Sequence, residues 1–191
     1  PSTRASTTGI KRRTPSATLP CRETPGRRRR YSMPNNGQHN PVVHAPTVVI
    51  RHRREKGHKC SILPLRGRAD FVFHVHPVRQ PLDLTDYVRL GVRGTLLSDD
   101  DANRGLLVLD ASWHRVQVLE RAHGDVPVRS LPPWRTAYPR VSKIRQDPPT
   151  GLATIEAVFA AMVILGRDPT GILDDYVWRD RFLALNRDYL A

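Results

Sequence analysis

The segment LLVLDAS at residues 106–112 constrains the fold of this chain more than any other. Four consecutive apolar side chains, Leu106 to Leu109, lead directly into Asp110. A short, unbroken apolar run of this kind is typical of a strand that is covered on both faces, as in a parallel sheet. The carboxyl end of such a strand is where α/β sheets bind their ligands. The segment therefore predicts a buried central strand and places Asp110 at a ligand-binding edge.

The side chain of Asp110 allows two interpretations. Partial desolvation at the end of a buried strand would make its carboxylate a better base. Alternatively, Asp110 caps the helix that is predicted to start near Ser112. We favour the base, because a helix cap does not need to end so apolar a strand. Trp113 also allows two interpretations, which we weigh equally: it belongs to the core, or it forms a wall of an adenine pocket.

Segments with strand and helix patterns alternate after residue 45. Strand patterns occupy 46–52, 70–77, the start of 94–105, and 106–112. Helix patterns occupy 82–91 and 113–124. This alternation around a buried strand predicts a parallel α/β sheet.

The C-terminal part has a different pattern. Residues 152–166 and 168–190 are predicted to be helical, and the first of them is apolar on nearly every face, which indicates burial. We therefore divide the chain into a basic arm at 1–45, an α/β domain at 46–128 and a mainly helical domain at 129–191.

The charge of the chain points to a polyanionic partner. The 191 residues carry a formal net charge of +13, and the pI is near 10.9. Residues 1–45 hold nine Lys and Arg residues against one acid, and they are rich in Pro, Ser and Thr, which predicts a disordered arm. Because Met33 is the only methionine before the predicted core, we expect residues 1–32 to be a dispensable extension. The remainder is still basic, so nucleic acid is the first partner to consider.

Residues 126–151 form a long, Pro-rich basic segment. From Val126 to Gln146 it contains no acid, and Trp134 and Tyr138 lie among its bases. Bases interleaved with aromatic rings suit an unstacked nucleotide, whereas the alternative is an ordinary solvated loop. We favour RNA, because the chain as a whole is basic. The predicted RNA-binding residues are Arg129, Arg135, Arg140, Lys143 and Arg145.

Other candidate sites are weaker. His74 and His76 have the spacing of metal ligands on a strand, but no third ligand is evident, so we predict a partly exposed strand face and no metal. Cys60 could be a nucleophile, but no paired His and Asp spacing supports this, and a plain loop cysteine is the favoured interpretation. The two cysteines suggest no disulfide framework, and no apolar run reaches the ~18 residues of a membrane span. We therefore expect a cytoplasmic protein.

Four segments, taken in order, resemble one known family. They are GLLVLDASW (105–113), RSLPPWRTAYP (129–139), LATIEAVFAAMVILG (152–166) and YVWRDRFLALNRDYL (176–190). This order resembles the small-subunit rRNA aminocarboxypropyltransferases, and KCS (59–61) and LLSDDD (96–101) resemble two further motifs of that family. The stretch 142–157 is instead similar to the DTW-domain tRNA-uridine aminocarboxypropyltransferases. The resemblance covers roughly residues 46–191.

The resemblance implies an α/β domain related to the SPOUT methyltransferases, with a trefoil knot, followed by a helical domain. It implies S-adenosylmethionine as the cofactor and no metal. The group moved would be its 3-amino-3-carboxypropyl (acp) arm, which is transferred to a uridine- or pseudouridine-type base with release of methylthioadenosine. The implied partner is RNA, which we expect to be small-subunit rRNA, and we expect the protein to act as a monomer away from membranes.

The resemblance also implies roles for single residues. Asp110 takes the catalytic position. The sequence departs from the family at Asp99, where a Pro is expected, and at Ala153, where a Ser is expected. The implied cofactor-binding residues are Ser61 for the methionine carboxylate, Leu97 and Trp113 for adenine, Leu109 for ribose through its backbone, and Leu131 for the pocket wall.

Three other functions remain open at this point. The first is a DTW-like tRNA-uridine acp transferase, which the stretch 142–157 favours and the stretch 176–190 opposes. The second is a knotted, S-adenosylmethionine-dependent RNA methyltransferase. The third is an RNA-binding module without catalytic activity. The reaction product would distinguish the rRNA and tRNA acp transferases from the methyltransferase.

Overall fold

The structure is a computed structural model that describes residues 44–57, 60–139, 148 and 151–190. The described residues form one sheet with helices on both faces. The strands are β1 (Thr47–His52), β2 (Phe71–His76), β3 (Tyr87–Leu96), β4 (Gly105–Asp110) and β5 (Val128–Ser130). The helices are α1 (Trp113–Ala122), α2 (Thr154–Ile164) and α3 (Arg179–Leu185). Short 3-10 turns lie at Leu63–Gly67, Asp99–Asp101 and Arg187–Tyr189.

The sheet has the order β2-β1-β4-β3-β5, and each neighbouring pair is parallel. The apolar strand β4 lies in the centre, with Leu106 and Leu107 completely buried. The prediction of a parallel α/β sheet around this strand is confirmed. Because all strands run in the same direction, their carboxyl ends meet at one edge of the sheet.

Alternation along β4 decides which face Asp110 joins. Leu106 and Val108 lie in the larger core cluster, which also contains α2, whereas Leu107 packs with Leu119 of α1 on the other face. Successive side chains of a strand point to opposite faces. Asp110 therefore lies on the face that α2 covers.

Helix α2 is almost completely enclosed. Nine of its eleven residues are buried, including Glu156. This confirms the buried helix that the apolar sequence predicts. Each fully buried aliphatic or aromatic side chain contributes about 1.5–3 kcal/mol of transfer free energy, so α2 is a main part of the core.

One predicted helix is absent and another is much shorter than predicted. The segment 82–91 contains no helix, because Tyr87 begins the ten-residue strand β3. Pairing with β4 and burial of Val88 outweigh the helical pattern, which is a tertiary effect. In 168–190 the α-helix covers only Arg179–Leu185. Gly171 has a positive φ of 78°, so the chain turns there instead of continuing a helix.

The predicted boundary between 128 and 129 falls inside β5. One core cluster takes side chains from both sides of that boundary, such as Val108 and Phe159. The division into domains and the trefoil knot stay predictions, and residues 1–43 of the basic arm lie outside the described residues. In the part of the chain that is described, no helix is long and apolar enough to cross a membrane.

Replacing Gly94 by Ala should destabilise the protein by about 1–3 kcal/mol. Gly94 has a φ of 135°, and an added Cβ would lie 2.6 Å from the carbonyl oxygen of Val128 in β5. Urea unfolding measures the loss. The matched control is Gly67→Ala, where an added Cβ meets no atom within 4 Å. Equal unfolding midpoints for the two variants would contradict this account of the β3–β5 contact.

Candidate active site

Asp110 lies at the carboxyl edge of β4 with only 7% of its surface exposed. Its Oδ2 accepts hydrogen bonds from Nε of Arg51 at 2.9 Å and from the thiol of Cys60 at 3.0 Å. Its Oδ1 accepts a hydrogen bond from the hydroxyl of Thr154 at 2.8 Å. The donors come from the end of β1, from the loop that follows β1, and from the first residue of α2. The carboxylate therefore joins segments that are distant in sequence.

The ion pair between Arg51 and Asp110 follows from the register of the sheet. The two residues are direct partners in the parallel β1–β4 ladder, so their side chains lie on the same face. Each side chain is 10% exposed. Burial disfavours the charged guanidinium, but the hydrogen bond and the negative charge of Asp110 together raise the pKa of Arg51. Removal of either partner would leave an unpaired charge in a buried site, which would destabilise the fold.

Cys60 acts as a hydrogen-bond donor at this edge. Burial, followed by the charge and hydrogen bond of Asp110, raises the pKa of the Cys60 thiol to about 11. A thiolate is the nucleophilic form of cysteine, and it would be scarce at neutral pH. The geometry therefore favours the plain loop cysteine over the nucleophile.

Ser112, the residue that precedes α1, is held by Glu55 and not by Asp110. Oε1 of Glu55 accepts hydrogen bonds from the backbone N–H and the hydroxyl of Ser112, at 3.1 and 2.8 Å, and from Arg115 at 3.0 Å. Burial alone would raise the pKa of Glu55, but these donors lower it. The alternative interpretation of Asp110 as the cap of α1 thus loses its basis, and Glu55 also fixes the loop that carries Cys60.

The cofactor-binding residues implied by the sequence resemblance all belong to one edge of the sheet. Ser61 follows β1, Leu97 follows β3, and Leu131 follows β5, while the other two flank Asp110 at the end of β4 and the start of α1. The backbone N–H of Leu97 donates to the carbonyl of Ser130 at 2.8 Å, which joins the segments after β3 and β5. The topology alone therefore brings these residues together.

The side chains of these residues differ in what they offer a ligand. Leu97 is only 2% exposed, and Leu131 packs against the same core cluster. The side chain of Leu109 packs on the α1 face, so it leaves its backbone at the edge. Trp113 is partly exposed at the first position of α1. This edge of the sheet thus carries apolar side chains, backbone groups and the Ser61 hydroxyl.

The predicted RNA-binding residues differ in how free their side chains are to contact RNA. Arg129 makes an ion pair at 2.8 Å with the buried carboxylate of Asp101 and donates to the hydroxyl of Thr95. Arg135 is exposed, and its backbone N–H and carbonyl are both held by the side chain of Asn186. Three of the predicted residues lie outside the described residues: Arg140, Lys143 and Arg145.

The prediction that Trp134 stacks on an RNA base is wrong. Trp134 is 4% exposed, and its ring stacks on Tyr189 at 4.9 Å and on Phe182 at 5.8 Å between ring centroids. The C-terminal segment covers the ring, and the sequence alone could not show this. Tyr138 remains partly exposed and meets Trp178 edge-on at 5.0 Å.

The sequence analysis missed Glu156, a completely buried carboxylate at the third position of α2. Its Oε1 accepts hydrogen bonds from the backbone of Ala137 at 2.7 Å and from the hydroxyl of Tyr176 at 2.9 Å. Its Oε2 accepts hydrogen bonds from Thr136 at 2.6 Å and from the backbone of Ala153 at 2.9 Å. Burial and the neighbouring carboxylate raise the pKa of Tyr176.

Glu156 therefore fixes the segment after β5 to the start of α2. A glutamate three residues after a helix cap is a recognised signal for a bond back to the backbone. The sequence obscured this signal, because Ala153 occupies the cap position. Arg51 and Thr154 were also missed, and only the strand register and the packing of α2 reveal them.

His74 and His76 are partly exposed on the edge strand β2. Among the described residues, no group of three or more His, Cys, Asp and Glu side chains could hold a metal ion. A surface cleft of 630 Å³ lies near His76, between the segment 76–85 and the turn at 122–127. It contains none of the predicted site residues, so the candidate site is identified by the chemistry at Asp110 and not by this cleft.

Comparisons with known proteins give a family model and a similar solved structure. The family model described as "Ribosome biogenesis protein, C-terminal" matches residues 93–191. The chain is similar to the solved structure of the SAM-dependent rRNA:acp-transferase Tsr3 from Vulcanisaeta distributa, with 26% sequence identity and a TM-score of 0.59. That match covers 75% of this chain and 80% of the other. A search of curated proteins gave no significant match.

Replacing Glu156 by Gln should destabilise the protein by about 2–4 kcal/mol, because an amide nitrogen would face hydrogen-bond donors in a buried site. Tyr176→Phe removes one donor and should cost about 1 kcal/mol. Urea unfolding measures both losses. The control is Glu120→Gln, since Glu120 is 38% exposed in a 3.5 Å ion pair. If Glu156→Gln loses no more free energy of unfolding than this control, the stabilising role of the Glu156 hydrogen-bond network is refuted.

The thiol of Cys60 should be alkylated slowly near neutral pH, with a rate that rises toward a pKa of about 11. Asp110→Asn should speed alkylation near pH 9, because it removes the negative charge that disfavours the thiolate. Iodoacetamide labelling followed by peptide mapping of Cys60 measures the rate. Denatured protein provides the reference for an unshifted thiol. A wild-type rate equal to that reference would contradict the Cys60–Asp110 contact.

Proposed function

Because this chain belongs to the ribosome biogenesis protein family whose C-terminal model it matches, we propose that it is an RNA acp transferase that modifies small-subunit rRNA. The acceptor is a uridine- or pseudouridine-type base. The observation that carries the proposal is a buried, ion-paired carboxylate at the carboxyl end of the central parallel strand. This carboxylate lies in a chain similar in structure to a SAM-dependent rRNA acp transferase.

Asp110 supplies the base for this reaction. The N3 atom of a uracil ring carries a proton and must lose it as the nitrogen attacks. The Asp110 carboxylate takes that proton, and water receives it afterwards. S-adenosylmethionine, when bound, supplies the acp arm: the N3–Cγ bond forms, the Cγ–S bond breaks, and its electron pair stays on sulfur to leave neutral methylthioadenosine.

The edge of the sheet fits the adenosylmethionine that the proposal requires. The backbone of Leu109 lies next to Asp110, where it would contact ribose, and Trp113 and Leu97 would flank adenine. Leu131 would line the pocket, and the Ser61 hydroxyl would hold the carboxylate of the methionine arm. This arrangement has to turn the acp arm, and not the methyl group, toward Asp110, because orientation decides which carbon the acceptor attacks.

The segment after β5 binds the RNA in this proposal. Glu156 and Asn186 hold its backbone in place, and Arg135 projects from it into solvent. We assign the phosphate contacts to this arginine and to four further basic residues of the segment. They are Arg129, whose charge is shared with Asp101, and Arg140, Lys143 and Arg145. The target base would be flipped out of its stack to reach Asp110.

The finer features of the architecture are part of the same proposal. We propose a SPOUT-like trefoil knot, with S-adenosylmethionine bound at the knotted edge. The sheet order supports it, because the chain crosses from β2 past β1 and β4 to reach β3. We also propose that the enzyme needs no metal and works as a monomer in the cytoplasm, where its RNA is found.

A second candidate is acp transfer to a tRNA uridine, which the similarity of residues 142–157 to the DTW-domain enzymes favours. Incubation with carboxyl-labelled S-adenosylmethionine and total RNA separates the two. We expect label in small-subunit rRNA and methylthioadenosine as the released product. Label in tRNA would select the second candidate. S-adenosylhomocysteine in place of methylthioadenosine would indicate methyl transfer and refute the proposal.

Asp110→Asn should lower the turnover of acp transfer by about 10²–10⁴-fold, because it removes the base. Its affinity for S-adenosylmethionine, measured by calorimetry, should stay close to that of the wild type. Asp83→Asn is the control, since Asp83 is exposed and bonds only to Thr85 among the described residues. Thermal melts check that both variants are folded. Unchanged turnover in a folded Asp110→Asn variant would remove Asp110 from the mechanism.

A further inference from the structure

The two oxygens of Asp110 are not equivalent. A carboxylate has about four acceptor positions, two on each oxygen. Oδ2 already accepts from Arg51 and from Cys60, whereas Oδ1 accepts only from Thr154 among the described donors. The remaining acceptor position therefore belongs to Oδ1. An acceptor base that gives its proton to Asp110 has to meet this oxygen.

Arg51 is the one charged group among the described donors to Asp110. The thiol of Cys60 stays protonated at neutral pH, and the hydroxyl of Thr154 is uncharged. Nε of Arg51 reaches Oδ2 from a neighbouring strand in fixed register, and the side chain is 90% enclosed. The guanidinium therefore cannot turn away from the carboxylate as a surface arginine could.

We propose that Arg51 is a positioning residue for the transfer reaction: it holds Oδ2 of Asp110 so that Oδ1 faces the acceptor base. This inference rests on the proposed function, because it concerns the same carboxylate. Arg51 does not touch the reacting atoms and acts only through Asp110. The buried pair thus contributes to turnover as well as to folding.

The inference predicts a loss of turnover without a loss of donor binding. The described groups that bond to Asp110 are Arg51 from β1, Cys60 from the following loop and Thr154 from α2. In Arg51→Met, the thiol of Cys60 is the one described donor left on Oδ2, and the carboxylate is no longer held in one orientation. The kcat of acp transfer should therefore fall by about 10²-fold, because a misplaced catalytic group reacts slowly.

A second variant separates charge from geometry. Arg51→Lys keeps the positive charge, so it should retain more of the wild-type kcat than Arg51→Met. Its kcat should still fall about tenfold, because an ammonium group cannot reproduce the fixed direction of the guanidinium hydrogen bond. The KM for S-adenosylmethionine should change little in both variants, since Arg51 does not contact the donor in this proposal.

The control is Arg89→Met, which removes another buried arginine, 7% exposed and paired with Glu120 across the α1 face. It should lower the melting temperature without lowering kcat. A kcat in folded Arg51→Met equal to that of the wild type, with transfer by the wild type intact, would overturn the role of Arg51 and leave the proposed function standing. If Arg51→Met does not fold, an unchanged kcat in Arg51→Lys overturns it equally. A wild-type protein that transfers no acp group would overturn both.

Discussion

Two buried carboxylates next to the first turn of α2 determine how the parts of this protein fit together. A carboxylate that leaves water while charged needs hydrogen-bond donors or an opposite charge, because an unpaired buried charge is strongly destabilising. Asp110 finds Arg51, Cys60 and Thr154, and Glu156 finds four donors of its own. The positive end of the α2 dipole favours negative charge at the same place.

These contacts hold the loops that a transfer reaction needs. Asp110 draws the loop after β1 and the start of α2 onto the carboxyl edge of the sheet, and Glu55 fastens that loop to α1. Glu156 fastens the segment after β5 to the same region. Charged groups inside the protein thus hold these loops in place at the carboxyl edge of the sheet. Preorganisation of this kind lowers the cost of orienting two substrates.

The distribution of aromatic rings limits the ways in which RNA can bind. Trp134, Phe182, Phe159 and Tyr189 form one packed group under the segment after β5, so these rings stabilise the fold and do not stack on bases. The RNA contact that we propose is therefore basic and largely polar, with exposed arginines such as Arg135 at the phosphates. Contacts of this kind make affinity depend strongly on salt.

The sequence by itself determined the parallel α/β class, the central strand β4 and the position of Asp110 at its end, because an apolar run that stops at an acid has few other solutions. It also determined that α2 is buried, since a helix without a polar face cannot face water. Only the tertiary structure decided that 82–91 joins the sheet, that Trp134 is core, and that Arg51 faces Asp110. These outcomes depend on strand register and on contacts between segments far apart in the chain, and a local pattern contains no information about either.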